Sequence, residues 1–262
     1  MEISSLASGS SGNCTYAAVP GCRILIDAGI SMRRINCELK SFGTDLGHID
    51  AVFITHEHTD HVRALTMIEK YYRIPIFATE GTAERLLYSN PRLKGTIFTF
   101  SPGTEIDVGG RLKVEAFPTP HDAAQSVGYK IISGGATAVV ATDMGYISKN
   151  MYRTLSGADF LLIESNHDVE RLMSGIYPYH LKQRILSNRG HLSNDDCARL
   201  VAALAQNGTR RFLLCHLSRE NNTPQAAFDA CRNSLSQAGY IVGKDVFLEV
   251  APPDRATDRY II

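Results

Sequence analysis

The run Thr55-His56-Glu57-His58-Thr59-Asp60-His61 places three imidazoles and the Asp60 carboxylate within six positions. Neutral imidazole with carboxylate is the usual ligand set for zinc, and it suits manganese or iron as well. On extended backbone, side chains two apart share a face, so His56 and His58 can grip one ion. Asp60 and His61 fall where the chain turns and can address a second. The protein has 9 histidines in 262 residues, so this density is not what a solvated polar loop shows by chance.

The surrounding residues predict how the cluster is held. Ala51-Val52-Phe53-Ile54 reads as a short buried strand, and Val62–Ile68 carries apolar residues at helical spacing. The cluster therefore sits where a strand ends and a helix begins. Further strands are expected at Ile3–Leu6, Thr15–Val19, Arg23–Ile26, Ile76–Ala78, Ile97–Phe100, Thr104–Val108, Leu112–Phe117, Val127–Ile132, Ala138–Ala141, Phe160–Ile163 and Phe212–Cys215. Helices are expected at Met32–Phe42, Thr82–Ser89, Ser148–Leu155, Val169–Met173, Tyr179–Ser187, Asp195–Gln206 and Pro224–Ala238. Ser193 and Asp196 form a capping-box pattern, and Thr223-Pro224 supplies an N-cap followed by proline at N1. Two β-rich halves, each interleaved with helices, predict an α/β (α+β) fold of two packed sheets flanked by helices. No linker or low-complexity stretch interrupts residues 1–262, so one domain is expected.

Composition bounds the function. Hydrophobic content of 44% and charged content of 21% describe an ordinary globular chain with no membrane span. The six cysteines are scattered without a CxxC pair, and the N-terminus has neither a basic region nor an apolar core. A reduced, cytoplasmic protein without a signal peptide is expected. The formal net charge of +0 supplies no global field for a polyanion. Nucleic acid would need a local groove, for which Arg33-Arg34, Arg63, Lys182, Arg184, Arg189 and Arg210-Arg211 are the candidates. Nothing in the pattern fixes an oligomeric state.

The HxHxDH pattern after a strand resembles the signature of the metallo-β-lactamase fold, a four-layer αβ/βα sandwich. Three later strand ends follow that family's order: Pro118-Thr119-Pro120-His121, Thr142-Asp143-Met144-Gly145 and Cys215-His216. The resemblance implies that His56, His58 and His121 hold one divalent ion. Asp60, His61 and His216 would hold another, with Asp143 bridging. Two such ions, zinc or manganese with iron also suitable, can share a hydroxide nucleophile and clamp an in-line displacement.

Ser8–Asn13, Glu164–Asp168, Gly190–Asn194 and His216–Asn222 narrow the resemblance to the YycJ/WalJ group. That group implies phosphodiester hydrolysis, with DNA a likelier substrate than RNA and a 5′→3′ exonuclease role. Under this reading His191, Glu164 and Asp60 are the catalytic candidates. His191 precedes a capped helix N-terminus, where free N–H groups attract phosphate, and can protonate a leaving alkoxide. Glu164 can orient that imidazole. Ser218 and Arg219 can hold a phosphate oxygen, Arg219 by a bidentate fork. Ser11 and Asn13 lie in a loop like an anion-binding nest. Asp27, after its strand, reads as a group that orients a ligand.

Spacing excludes some relatives. Only 73 positions separate Asp143 from His216, too few for the extra domain of RNase J-type enzymes. Only 22 separate His121 from Asp143, which leaves no room for the arm of tRNase Z. The alternative expectation is a small-molecule hydrolase of cyclic or nucleotide phosphodiesters, thioesters or lactones.

Overall fold

The computed structural model describes residues 1–262. In chain order the first elements are β1 (Glu2–Ala7), β2 (Cys14–Val19), β3 (Cys22–Ile26), α1 (Met32–Ser41), β4 (Ala51–Phe53), α2 (Thr59–Val62) and α3 (Leu65–Tyr72). There follow β5 (Ile76–Thr79), α4 (Glu80–Ser89), β6 (Ile97–Phe100), β7 (Glu105–Val108), β8 (Leu112–Pro118) and β9 (Val127–Ser133). The remainder comprises β10 (Ala136–Ala141), α5 (Lys149–Leu155), β11 (Phe160–Glu164), α6 (Val169–Ser174), α7 (Tyr179–Leu186) and α8 (Asn194–Gln206). The chain closes with β12 (Arg211–Cys215), α9 (Pro224–Gln237), β13 (Phe247–Val250) and β14 (Tyr260–Ile261). Two mixed sheets flanked by helices form an α/β sandwich, as the strand–helix alternation predicts. No helix is long and apolar enough to cross a membrane.

Two compact units divide the chain. The first comprises Met1–Pro118, Ala123–Gly135 and Pro252–Ile262. Its main sheet has the order β14-β1-β2-β3-β4-β5-β6, antiparallel through β1, β2 and β3 and parallel from β3 to β6. Leu25, Val52 and Ile76 from these strands pack with Ile35, Leu39, Leu65 and Ile68 from α1 and α3. Strands β7, β8 and β9 pair antiparallel. Along Leu112–Ala116 buried and less buried residues alternate, as in a sheet with one face packed and one wet. Tyr129 ties this meander to the main sheet: its hydroxyl donates to the Ile54 carbonyl at 2.6 Å.

The second unit comprises Thr119–Asp122 and Ala136–Ala251. Strands β10, β11, β12 and β13 run parallel in sequence-matched register, Ala141 beside Ile163 and Glu164 beside Cys215. Val139–Ala141, Phe160–Ile163 and Phe212–Cys215 are buried without alternation, which is the mark of a parallel sheet covered on both faces.

Several local expectations change. The apolar stretch after the histidine cluster is not one helix. It breaks at Arg63-Ala64 into α2 and α3, because the Ala64 N–H is drawn to the Ala28 carbonyl at 2.9 Å. Strands β13 and β14 were not expected. Phe247–Val250 is only four residues long and Tyr260–Ile261 two, too short to show a period.

Candidate metal centre

In the first unit the cluster leaves the carboxyl end of β4, between parallel neighbours β3 and β5. The Val127 N–H bonds the Thr55 carbonyl at 3.1 Å and fixes the strand end from which His56 departs. His58 is the N-cap of α2, so Asp60 and His61 ride in its first turn. His56 Nε2 stands 3.0 Å from His58 Nδ1, and His61 Nε2 lies 3.4 Å from Asp60 Oδ2.

Asp27 organises this half from behind. Its Oδ2 accepts from His61 Nδ1 at 2.7 Å, and its carboxylate takes the Thr55 N–H at 2.9 Å and the Thr55 hydroxyl at 2.9 Å. Burial raises the Asp27 carboxyl above its ordinary value, with His61 and Thr55 acting in the opposite direction. The loop after Asp27 lies directly against α2: Ala28 N–H bonds the His61 carbonyl at 2.8 Å. A Cβ on Gly29 would sit 1.6 Å from the Asp60 carbonyl, so only glycine permits this approach.

In the second unit three parallel strands end side by side, and each delivers one side chain. Asp143 follows β10, Glu164 ends β11 and His216 follows β12. Asp143 Oδ1 lies 3.7 Å from His121 Nε2, 3.6 Å from His216 Nε2 and 3.6 Å from His191 Nδ1. Ligand-capable atoms of Asp143, Glu164, His191 and His216 all fall within 4.8 Å of one another. Asp143 and His216 hold φ of 59° and 56°, and Asp27 in the first unit holds 63°. Non-glycine residues rarely adopt this left-handed region, and such strain gathers at functional sites.

Glu164 is the hub of the second half. It is fully buried. Its Oε1 accepts from His191 Nδ1 and His216 Nδ1, each at 2.8 Å. Its Oε2 accepts the Met144 N–H at 2.8 Å and the Leu192 N–H at 3.2 Å. Burial alone would raise this carboxyl; the two imidazoles overcome it and bring the pKa to about 2. Burial depresses His191 in turn, but the Glu164 charge and hydrogen bond and the Asp143 charge leave it above the usual imidazole value. Burial lowers His121 despite Asp143.

The donor set fits a divalent cation. His61, His121 and His216 each point Nδ1 at an acceptor: Asp27, the Gly190 carbonyl at 3.1 Å, and Glu164. Each contact places the proton on Nδ1 and leaves Nε2 as a lone pair, the tautomer a metal ligand needs.

Of the expected substrate-binding residues, Ser11 and Asn13 lie in the first unit and Ser218 and Arg219 in the second. Ser218 is buried and its hydroxyl accepts from the Asn221 N–H at 3.2 Å, so it closes a loop and does not present itself to a phosphate. Asn13 is buried; its Oδ1 accepts from Gly9 N–H at 2.9 Å and its Nδ2 stands 3.1 Å from His61 Nε2. It therefore positions the Asp60–His61 turn. Ser11 is half-buried in the same loop, and Arg219 is exposed. Glu164 has no exposed surface, and its contacts run to His191 and His216. The N-terminus of α8 is not an open anion site. Asn194 N–H bonds the His167 carbonyl, Asp196 N–H bonds Ser193 Oγ, and Asp195 and Asp196 fill the first turn with negative charge. Lys182 is withdrawn from any groove, its ammonium donating to the Met173 and Gly175 carbonyls at 2.7 Å. Two roles have no counterpart in the sequence reading: Thr55 as a partner of Asp27, and Arg189, expected in a basic groove, whose guanidinium donates to the His121 carbonyl at 3.3 Å. Thr55 adjoins the motif and was legible in principle; the Arg189 contact joins positions 68 apart and left no signal.

A family model described as the beta-lactamase superfamily domain matches residues 22–217. Exodeoxyribonuclease WalJ of Streptococcus pneumoniae is 38% identical over 98% of this chain and 96% of its own. Exodeoxyribonuclease YycJ of Bacillus anthracis is 34% identical over 98% of this chain and 97% of its own. The crystal structure of Zn2+-bound PqqB from Methylobacterium extorquens superposes with a TM-score of 0.72 at 17% identity, covering 98% of this chain and 100% of that one, a likeness of fold alone. The near-full-length matches and the order of the candidate ligands along the chain agree: the chain belongs to the beta-lactamase superfamily, whose hydrolase fold it has, and within it to the YycJ/WalJ group.

Proposed function

We propose that this protein is a metal-dependent phosphodiesterase that degrades DNA from a 5′ end. The observation that carries the reading is the single buried carboxylate, Glu164, holding both His216 and His191 beside Asp143. It presents one imidazole as a ligand lone pair and the other as a proton donor. The similarity to two proteins named exodeoxyribonuclease supplies the substrate.

In this reading His56, His58 and His121 would hold one divalent ion, Asp60, His61 and His216 would hold a second, and Asp143 would serve both; zinc or manganese would suit them, with iron a further option. Such ions supply Lewis acidity to a phosphoryl group and lower the pKa of water. The chain's own residues do the rest. His191, its side chain 21% exposed, keeps Nδ1 on Glu164, which leaves Nε2 as the atom that can give a proton to the leaving oxygen. Asp60, 23% exposed beside His61, can take a proton from the attacking water. Arg219 lies three residues past His216 and can pair with a phosphate oxygen. Six cysteines without a disulfide support a cytoplasmic setting.

The test is digestion by metal-loaded enzyme of DNA and RNA labelled at either end, beside bis-p-nitrophenyl phosphate and a thioester. Stepwise shortening of DNA from its 5′ end is expected. Shortening from the 3′ end overturns the polarity. Hydrolysis of a cyclic nucleotide or thioester with both polymers intact overturns the nuclease and favours a small-molecule hydrolase.

A further inference from the structure

The second unit carries a groove of about 820 Å³ outside the ligand cluster. The start of α5 and one side of α8 form its walls. Gly145 and Asn188, two residues after Asp143 and three before His191, also line it, so it is built from the segments that carry those groups. The two meet closely: a Cβ on Gly145 would lie 2.4 Å from the Asn188 carbonyl.

The lining has two characters. Buried Leu192 and Leu200, with half-buried Ile147, make an apolar base. Exposed Lys149, Arg153 and Arg199 put three cations around it against one carboxylate, Asp196, which pairs with Arg199. In a chain of formal net charge +0, this is a local excess of positive charge. Tyr146 stands 47% exposed beside them. Tyr152 is different: its hydroxyl accepts from Asn207 at 2.7 Å and donates to the Ala203 carbonyl at 3.3 Å, which holds its ring as a fixed wall.

We infer that this groove binds single-stranded nucleic acid, with phosphates on Lys149 and Arg153 and a base against Tyr146. The inference rests on the nuclease reading above. Cations interleaved with an aromatic face are the means by which proteins hold single strands without reading sequence. A duplex keeps its bases stacked inward and offers Tyr146 no free face. The groove is also where an overall neutral chain can gain the counterion release that polyanion binding needs.

Binding of a fluorescein-labelled oligothymidylate to the full chain, read by anisotropy in EDTA, tests the inference apart from cleavage. The double variant K149E/R153E is expected to bind at least tenfold more weakly. Its log–log salt slope should fall by about 1.4, because two phosphates of the single strand are no longer neutralised. Tyr146→Ala should weaken binding at least fivefold, and it serves alone if the double variant fails to fold. The charge-matched control R92E/K94E, on an exposed turn of the first unit, should bind within twofold of the parent. The inference is overturned if the parent does not bind the oligonucleotide. Parent-like binding by the groove variants, or equal losses in both double variants, also overturns it. If the groove variants lose binding and the loaded enzyme cuts no nucleic acid, the groove stands and the nuclease reading falls.

Discussion

Glu164→Gln keeps the size of the side chain and removes its charge, and the consequence can be worked from the four hydrogen bonds it accepts. Two come from imidazoles on Oε1 and two from backbone N–H groups on Oε2. A glutamine has one oxygen and one NH2, so whichever way it lies, two donors face a donor. If the NH2 faces the histidines, His216 must move its proton to Nε2 and loses the lone pair turned to Asp143. If it faces the backbone, Met144 and Leu192 are left unpaired in a fully buried site. The carboxyl sits at about 2 against a reference of 4.5. At 1.36 kcal/mol per unit, its ionised form contributes on the order of 3 kcal/mol. Because the folded pKa is depressed, that contribution is full above 4.5 and is lost as pH falls toward about 2. The metal-free variant should melt roughly 6–12 °C below the parent at pH 7. Metal affinity should drop about 10–100-fold, as when groups that orient a ligand are removed. Differential scanning calorimetry and titration with a chelator-buffered metal measure both. A variant melting within 2 °C of the parent, with His216 still protonated on Nδ1 by nitrogen NMR, would refute the shared-acceptor argument.

His191→Ala should slow DNA cleavage by about 10²–10⁴ with metal content unchanged, and slow an activated nitrophenyl ester much less. Its pKa is raised, so the acid form persists to higher pH than in a free imidazole and is lost as pH rises further; the limb of kcat that reports this loss should vanish in the variant, and its survival would assign the limb elsewhere. Asp143→Gly and Asp143→Ala should both abolish turnover. The metal-free glycine form should be about 1 kcal/mol the more stable, because only alanine is strained at φ 59°; equal melting temperatures would show that the backbone stores nothing there. His167 is 1% exposed, and both ring nitrogens lack a hydrogen-bond partner. Burial lowers its pKa to about 4. The unfolded chain therefore binds the proton first, and stability should fall as pH drops from about 6.5 to about 4, by up to roughly 3 kcal/mol. His167→Phe should flatten that part of the melting-temperature profile; an unchanged acid slope would place the titration on another group.

Much of this architecture was legible because its signals are local. The runs Ala51–Ile54, Phe160–Ile163 and Phe212–Cys215 are apolar without alternation, and the polar residue after each (Thr55, Glu164, His216) marks where the apolar run of a parallel strand stops. Those strand ends gave the places, and the resemblance to the metallo-β-lactamase signature supplied the seven ligand candidates and their grouping. What the sequence hid were relations between distant positions. Glu164 serves His191 and His216, 27 and 52 residues away, and its second histidine partner was not foreseen. At the start of α8 the Ser193–Asp196 cap is legible in the sequence, and Asp195 and Asp196 set negative charge in the turn where a phosphate was expected. Ser218 and Asn13 have the right chemistry for a ligand, and only their burial shows it turned inward.

The left-handed backbone at Asp27, Asp143 and His216 has a consequence for descent. Each position carries a side chain of the proposed centre on backbone that glycine adopts without strain. Selection for activity and selection for stability therefore pull these three codons in opposite directions. A duplicated gene freed from its catalytic duty should drift there first, toward glycine or asparagine, and become a sturdier protein as it becomes an inert one. Glycine at these strand ends in a descendant sequence would thus date the loss of chemistry before the fold itself shows any decay.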